Sequence, residues 1–327
     1  MGIRCISRRF SMNFINRMSK ARSNRMIGIG FALLGLTACS HYINSAGSIA
    51  PIKEKIILLH EVTDIRVEGP LNVKLNSGPR AEMILLAPPP ILSKIKIRHQ
   101  PHQLKLSYQL SRKQLVVPTL IITTPQLQTF IYRGKGHFEA NLYAPALNIA
   151  IDNPMPSILK GHLGLHHVVV SGGGTARFLG VNSSALDLTV RQASTVIMQG
   201  QMRVAHLSIK DNCRLFLNRM VANRMRIRAH GRTLLQFTGQ VNQLDITLWD
   251  RAKFKGRDLR VNNSFIKTFD NAFAEISTTG HQHTLANNES EIICHRLPTT
   301  ETDFMADDGT VLNFHPYPHE VDTTFDP

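Results

Sequence analysis

Arg226 and Arg228 flank Ile227, and Lys253 and Lys255 flank Phe254. In an extended segment successive side chains point to opposite sides, so an inward Ile227 and an inward Phe254 turn all four cations outward. With Arg224, Arg232, Arg251, Arg257 and Arg260 nearby they make a cationic stripe. Such a stripe suits an anionic glycan, a lipopolysaccharide phosphate or another envelope polymer; the alternative is that these charges only solvate the outside of the protein. Carboxylates in register would be the chemistry of sugar cleavage. Asp187 and Asp245 share a slot, each directly after a leading Leu, but they lie three repeats apart. At the spacing of neighbouring strands that is about 14 Å, beyond the roughly 5 to 9.5 Å of a glycosidase pair. His166-His167 and His281-Gln282-His283 bring imidazoles close, yet no convincing third metal ligand accompanies them. There is no Walker loop, dinucleotide-binding glycine fingerprint, serine elbow or zincin motif. The reading is of a protein that is not an enzyme, with no catalytic residue, no metal site and no cofactor.

Nearly half of the formal charge of +15 falls on the N-terminus. Residues 1–38 hold Arg4, Arg8, Arg9, Arg17, Lys20, Arg22 and Arg25 and no acidic residue; without them 31 basic residues face 23 acidic ones. The apolar run Ile27–Leu36 follows, half the length of about 20 residues a membrane-spanning helix needs. This is the pattern of a signal peptide. Leu36-Thr37-Ala38-Cys39 resembles the bacterial lipoprotein processing box, which implies diacylglycerol on the Cys39 sulfur, cleavage after Ala38 and acylation of the new terminus. Several acyl chains, at about 0.8 kcal/mol per buried methylene, would tether the protein to a membrane without inserting it. An ordinary secretory peptide with an incidental cysteine is the other reading. Ser40 and His41 follow with no Asp in the slot that the resemblance associates with inner-membrane retention, so the outer membrane is expected. The start lies at Met1 or at Met18. Nucleic acid is not an expected partner of an exported chain that is only 6% aromatic. Cys213 and Cys294, about four repeats apart, are predicted to be unpaired thiols.

The elements that must position these residues are strands. Leu147-Asn-Ile149-Ala-Ile151, Leu186-Asp-Leu188-Thr-Val190, Leu207-Ser-Ile209, Met225-Arg-Ile227, Leu244-Asp-Ile246-Thr-Leu248 and Leu259-Arg-Val261 alternate apolar and polar residues, recurring every 15 to 21 residues. A second beat, Phe178-Leu-Gly180, Met198-Gln-Gly200, Phe237-Thr-Gly239 and Phe254-Lys-Gly256, follows 10 to 12 residues later in several copies. Such a period predicts a solenoid whose coils bury their apolar residues by stacking. Gly134, Gly136, Asn153, Gly172 to Gly174, Asp211, Gly231 and Asp250 fall just after the first beat, where a sharp corner favours residues that accept left-handed conformations. Beyond Leu244 the period reads as shortened to about 15, as in an atypical terminal coil. Before Pro125 six further strands are predicted, at 65–67, 71–75, 83–86, 95–97, 104–108 and 120–124, with Pro88 to Pro90 a stiff connector.

A strand-rich lead followed by leucine-alternating strands with Gly-x-Gly corners, here Gly134-Lys-Gly136 and Gly172-Gly-Gly174, resembles the bacterial family of auto-transporter adhesin head domains, the GIN domains, across about residues 60 to 290. The resemblance implies a parallel β-helix-like fold, secretion and no established activity. The expected fold is all-β, a parallel β-solenoid preceded by a strand-rich N-terminal β section. The expected divisions are a lipoprotein signal peptide at 1–38, a flexible spacer at 39–56, the N-terminal β section at 57–125, solenoid repeats at 126–297 and an acidic, mostly irregular tail at 298–327. The function expected is a non-enzymatic envelope lipoprotein that presents a binding or adhesive surface to a glycan, lipopolysaccharide or an envelope protein. A polysaccharide-active enzyme on a β-helix and a structural or assembly subunit are the alternatives.

Overall fold

The computed structural model describes residues 53–58, 62–109, 116–295 and 302–313. The signal segment, Cys39, most of the spacer and residues 314–327 lie outside them. The described chain is nearly all strand, wound as a parallel β-solenoid of about 9 turns.

Its first strands are β1 (Lys53–Leu58), β2 (Asp64–Glu68), β3 (Asn72–Ser77) and β4 (Glu82–Ala87). One helical turn, α1 (Pro89–Leu92), then occupies the triple proline, whose fixed φ suits a helix start. β5 (Lys96–Gln100), β6 (Gln103–Ser107), β7 (Thr119–Thr124) and β8 (Thr129–Arg133) follow. Their stacking is not sequential. β2 lies between β6 and β8, and β3 between β7 and β9 (Phe138–Asp152), all parallel. The chain completes one coil with β2 and β3, leaves it, returns beneath it as β6 and β7, and passes over it to resume at β8. On the outer side β4 runs antiparallel to β7, β5 to β6 and β1 to β4. These reversed strands close the N-terminal end of the stack, which would otherwise offer a row of unpaired backbone groups. Regular coils therefore include strands from both sides of Pro125.

From β9 onward the coils stack in chain order: β10 (Ser157–Ser171), β11 (Thr175–Val190), β12 (Thr195–Ile209), β13 (Arg214–Ala229), β14 (Leu234–Leu248) and β15 (Lys253–Thr268). In β13 the buried residues are Leu215 and Leu217, then Met220 and Ala222, then Met225, Ile227 and Ala229. The inward alternation skips twice, at Asn218-Arg219 and at Asn223-Arg224, and each skip is a bend. A coil thus has a side A (214–217), a side B (220–223), a side C (225–229) and a closing turn. The second beat of the sequence is side A and the first is side C. At the bend after side A, Gly180 takes a φ of 82°, and a Cβ there would overlap the Gly161 carbonyl oxygen of the coil before.

The period does not shorten after Leu244. Ile246 pairs with Ile266 and Leu244 with Ser264, so side C of the next coil is Ser264 to Thr268. Leu259-Arg260-Val261 pairs with Gly239 to Val241 and belongs to side B. The Leu signature was displaced because a serine took the leading place. The last coils are β16 (Phe273–Thr278), β17 (Gln282–Asn287), β18 (Glu291–Cys294), β19 (Thr302–Asp307) and β20 (Thr310–Asn313), alternately on sides A and C and all parallel to their predecessors.

The closing turns do more than accept unusual φ. Left-handed residues recur there at Gly172, Gln192, Asp211, Gly231, Asp250, Asp270 and Asn288. Several also reach back to the coil before: Gln192 Oε1 accepts from the Gly172 N–H, Asp211 Oδ2 from Gln192, Asp250 Oδ2 from Gly231, and Asp270 Oδ2 from Asp250, at 2.8 to 3.2 Å. These corner bonds satisfy backbone donors that the ladder leaves open. Gly134, Gly136 and Asn153 do not adopt positive φ. Gly136 is required instead by close approach to the Leu71 carbonyl, and its N–H donates to the buried Tyr132 hydroxyl, which donates to Leu71 O at 2.8 Å.

Candidate binding site

Parallel stacking at one residue per rung turns each outward position into a row. On side C one row runs His167, Asp187, His206, Arg226, Asp245, Phe265, His283. It is largely self-compensated. His167 Nδ1 lies 3.3 Å from Asp187 Oδ2, Arg226 Nε donates to Asp245 Oδ2 at 3.3 Å, and Phe265 stacks on His283 with centroids 4.9 Å apart. Asp187 and Asp245 are separated by His206 and Arg226, three rungs apart as their spacing predicted.

The second row differs. It runs Thr189, Ser208, Arg228, Thr247, Lys267, with no carboxylate in it. Among the described residues neither Arg228 nor Lys267 forms an ion pair. Two rungs separate them, or about 10 Å, with the Thr247 hydroxyl between. A groove of about 370 Å³ opens over these rows, walled by Asp187, Thr189, His206, Ser208, Arg226 and Arg228 and floored by Leu188 and Leu207. Guanidinium, ammonium and hydroxyl donors in one line can hold a phosphate or carboxylate by charge-assisted hydrogen bonds. The exposed position makes that attraction sensitive to salt.

Ile227 and Phe254 are fully buried, and Arg226, Arg228, Lys253 and Lys255 all project to solvent. The four do not gather into one stripe. Arg226 and Arg228 lie on side C, whereas Lys253 and Lys255 lie on side A, beside Leu234 and Gln236 on one rung and Phe273 and Glu275 on the next. Alternation distinguishes inside from outside and cannot say which of the sides a strand occupies. Lys267, Ser208 and Thr247 went unread because they come from different coils and meet only through register. Cys39 lies outside the described residues.

Among the described residues no three His, Cys, Asp or Glu side chains are grouped so as to hold a metal ion, and no helix is long and apolar enough to cross a membrane. Cys213 and Cys294 are both buried and unbridged. Burial pushes both thiols up, Cys294 despite a hydrogen bond from Gln282 Nε2 at 2.7 Å, so they pack as neutral groups.

Solved structures with a similar course include a "putative adhesin" from Parabacteroides merdae (10% identity, TM-score 0.49, covering 81% of this chain and 97% of that one). Another "putative adhesin", from Parabacteroides distasonis, is 13% identical with a TM-score of 0.43 over 81% and 98% of the two chains. A "putative lipid binding protein" from the same organism is 9% identical with a TM-score of 0.42 over 81% and 97%. No curated protein matches the chain. The family described as "Putative auto-transporter adhesin, head GIN domain" matches residues 61–294, nearly the whole span of the stack, and the chain belongs to that family.

Proposed function

We propose that this protein is a non-enzymatic envelope lipoprotein, attached through Cys39 to the outer membrane, that displays its solenoid as an adhesive surface and holds anionic groups of an envelope glycan or lipopolysaccharide along side C. The row from Thr189 to Lys267 carries this reading, because it aligns donors over successive coils and contains no acid to neutralise them. Family membership supports an adhesive surface protein. The separation of Asp187 from Asp245 argues against glycoside cleavage through that pair.

The test separates the two cationic pairs. Binding of a lipopolysaccharide or an acidic polysaccharide is measured at low and high salt for the parent chain, for Arg228→Ser with Lys267→Ser, and for Lys253→Ser with Lys255→Ser. Loss of affinity of at least tenfold in the side C variant, with a weakened salt dependence and little change in the side A variant, is the expected result. Equal losses in both, or binding that ignores salt, would overturn the assignment to side C.

A further inference from the structure

A second groove lies around the bend from the first, on side B. It is the larger of the two, about 700 Å³, and its chemistry is different. Asn223, Asn242 and Asn262 stand at the same place in three successive coils and form a ladder: Asn242 Nδ2 donates to Asn223 Oδ1 at 3.1 Å and Asn262 Nδ2 to Asn242 Oδ1 at 3.1 Å. A primary amide has two N–H donors and two acceptor lone pairs. Asn242 uses one of each within the ladder, so the row keeps both a donor and an acceptor for an outside molecule. Alongside runs a second row, Val221, Gln240, Arg260, which are consecutive partners in register. Arg203 closes one end of the groove, and no carboxylate lines it.

Val221 is the discordant residue. It is 52% exposed, the one well-exposed apolar side chain of a groove otherwise lined by amides, arginines, Thr279 and the buried Ala222 and Val241. A bare anion would be served by donors alone and has no use for a valine or for amide carbonyls. A sugar with only hydroxyls would engage the amides and offer the valine no more than the C–H face of its ring. An acetamido group uses all three: its N–H and C=O match a carboxamide in both directions, and its methyl covers apolar surface. We propose that side B is a binding site for an oligosaccharide of N-acetylated amino sugars, lying across the rungs of β13 to β15, with a methyl group on Val221, the acetamido N–H and C=O on the asparagine row, and ring hydroxyls on Gln240 and Arg260. The site is independent of side C in both residues and physics. Its contacts are mostly neutral hydrogen bonds and apolar area, so its affinity resists salt where that of side C falls.

The experiment uses the full chain and two probes, tetra-N-acetylchitotetraose (hereafter chitotetraose) and cellotetraose, which differ in bearing an acetamido group or a hydroxyl on each ring. Titration followed by calorimetry is expected to show chitotetraose binding at least tenfold tighter than cellotetraose, with less than a twofold change between low and high salt. Val221→Ser and Gln240→Ala, both at exposed positions, are each expected to weaken chitotetraose binding by threefold or more. Arg228→Ser with Lys267→Ser should leave it unchanged, which keeps this site distinct from the anionic one. Failure of chitotetraose to bind, equal binding of the two probes, or indifference to both side B substitutions would overturn the proposal whatever the outcome on side C.

Discussion

The middle and the last coils enclose different interiors within the same path of the chain. In β11 to β14 the inward residues are apolar apart from Ser183, and Phe178, Leu186, Leu188, Val196, Leu215, Ile227, Phe237, Leu244 and Ile246 among them are fully buried or nearly so. From the end of β15 onward they include Ser264, Thr268, Ser277, Thr278, Gln282, Thr284 and Ser290, equally buried. These polar groups mostly find one another. Ser264 Oγ and Thr278 Oγ1 are 2.9 Å apart, Thr268 Oγ1 donates to Ser290 Oγ at 2.9 Å, and Ser290 Oγ donates to the Thr268 carbonyl at 3.0 Å. Gln282 Oε1 and Thr284 Oγ1 have no hydrogen-bond partner. Apolar stacking is strong and indifferent to small slips along the axis. Hydroxyl pairing contributes less per residue, about 0.5–1.5 kcal/mol net, but it fixes register. The comparison teaches that a coil needs a filled interior, not a greasy one.

The contrast is broken most severely by opening the apolar part. Phe237→Ala should destabilise the protein by about 3–5 kcal/mol, since the ring is fully buried and packs edge to face on Phe254 at 5.4 Å. The urea midpoint of the variant reads this directly. A smaller effect tests a phenol inside the N-terminal coils. Tyr132 is fully buried and desolvation pushes its pKa up to about 12 from 10.0. A folded-state pKa above the unfolded one means that the folded protein holds the proton more firmly. The associated stability, about 2–3 kcal/mol, is present below pH 10 and lost as pH rises through 12. Urea unfolding between pH 9 and 12 should show that decline, and Tyr132→Phe, less stable at pH 9 for want of its bonds to Leu71 and Gly136, should show a shallower one. The smallest effect is expected at Gln282→Leu. This exchange removes an acceptor without a partner and one bond to Cys294, and its stability should stay within about 1 kcal/mol of the parent or exceed it. A loss as large as that of Phe237→Ala would mean that the polar interior is held by something other than paired hydroxyls.

Inward and outward positions were legible in the sequence because each strand carries that signal within itself. All six strands before Pro125 form, and the side C segments of β9 and β11 to β14 lie where their leucines and isoleucines place them. What a strand pairs with is not written in it, so the return of β6 and β7 beneath β2 and β3 left no trace in the pattern. Ser264 hid the leading strand of β15 for the converse reason, a polar residue taking an apolar place. The corner at Gln192 and Ala193, with φ of 59° and 55°, carries no residue that favours such angles. It is held by its neighbours, the Gln192 N–H by Asp211 and the Gln192 side chain on Gly172. The candidate site was half legible: Arg226 and Arg228 were seen to face solvent, but their partners in the row belong to other coils.

The corner bonds have a direction. At Gln192, Asp211, Asp250 and Asp270 the side chain serves the coil made just before its own. Such a coil fastens itself to the turn before it and has its own corner N–H met by the turn that follows, as at Gln192 and Asp250. Removing a distal turn from a chain built this way would leave one backbone donor open at the turn that becomes terminal, so the cost of shortening the stack falls on a single corner.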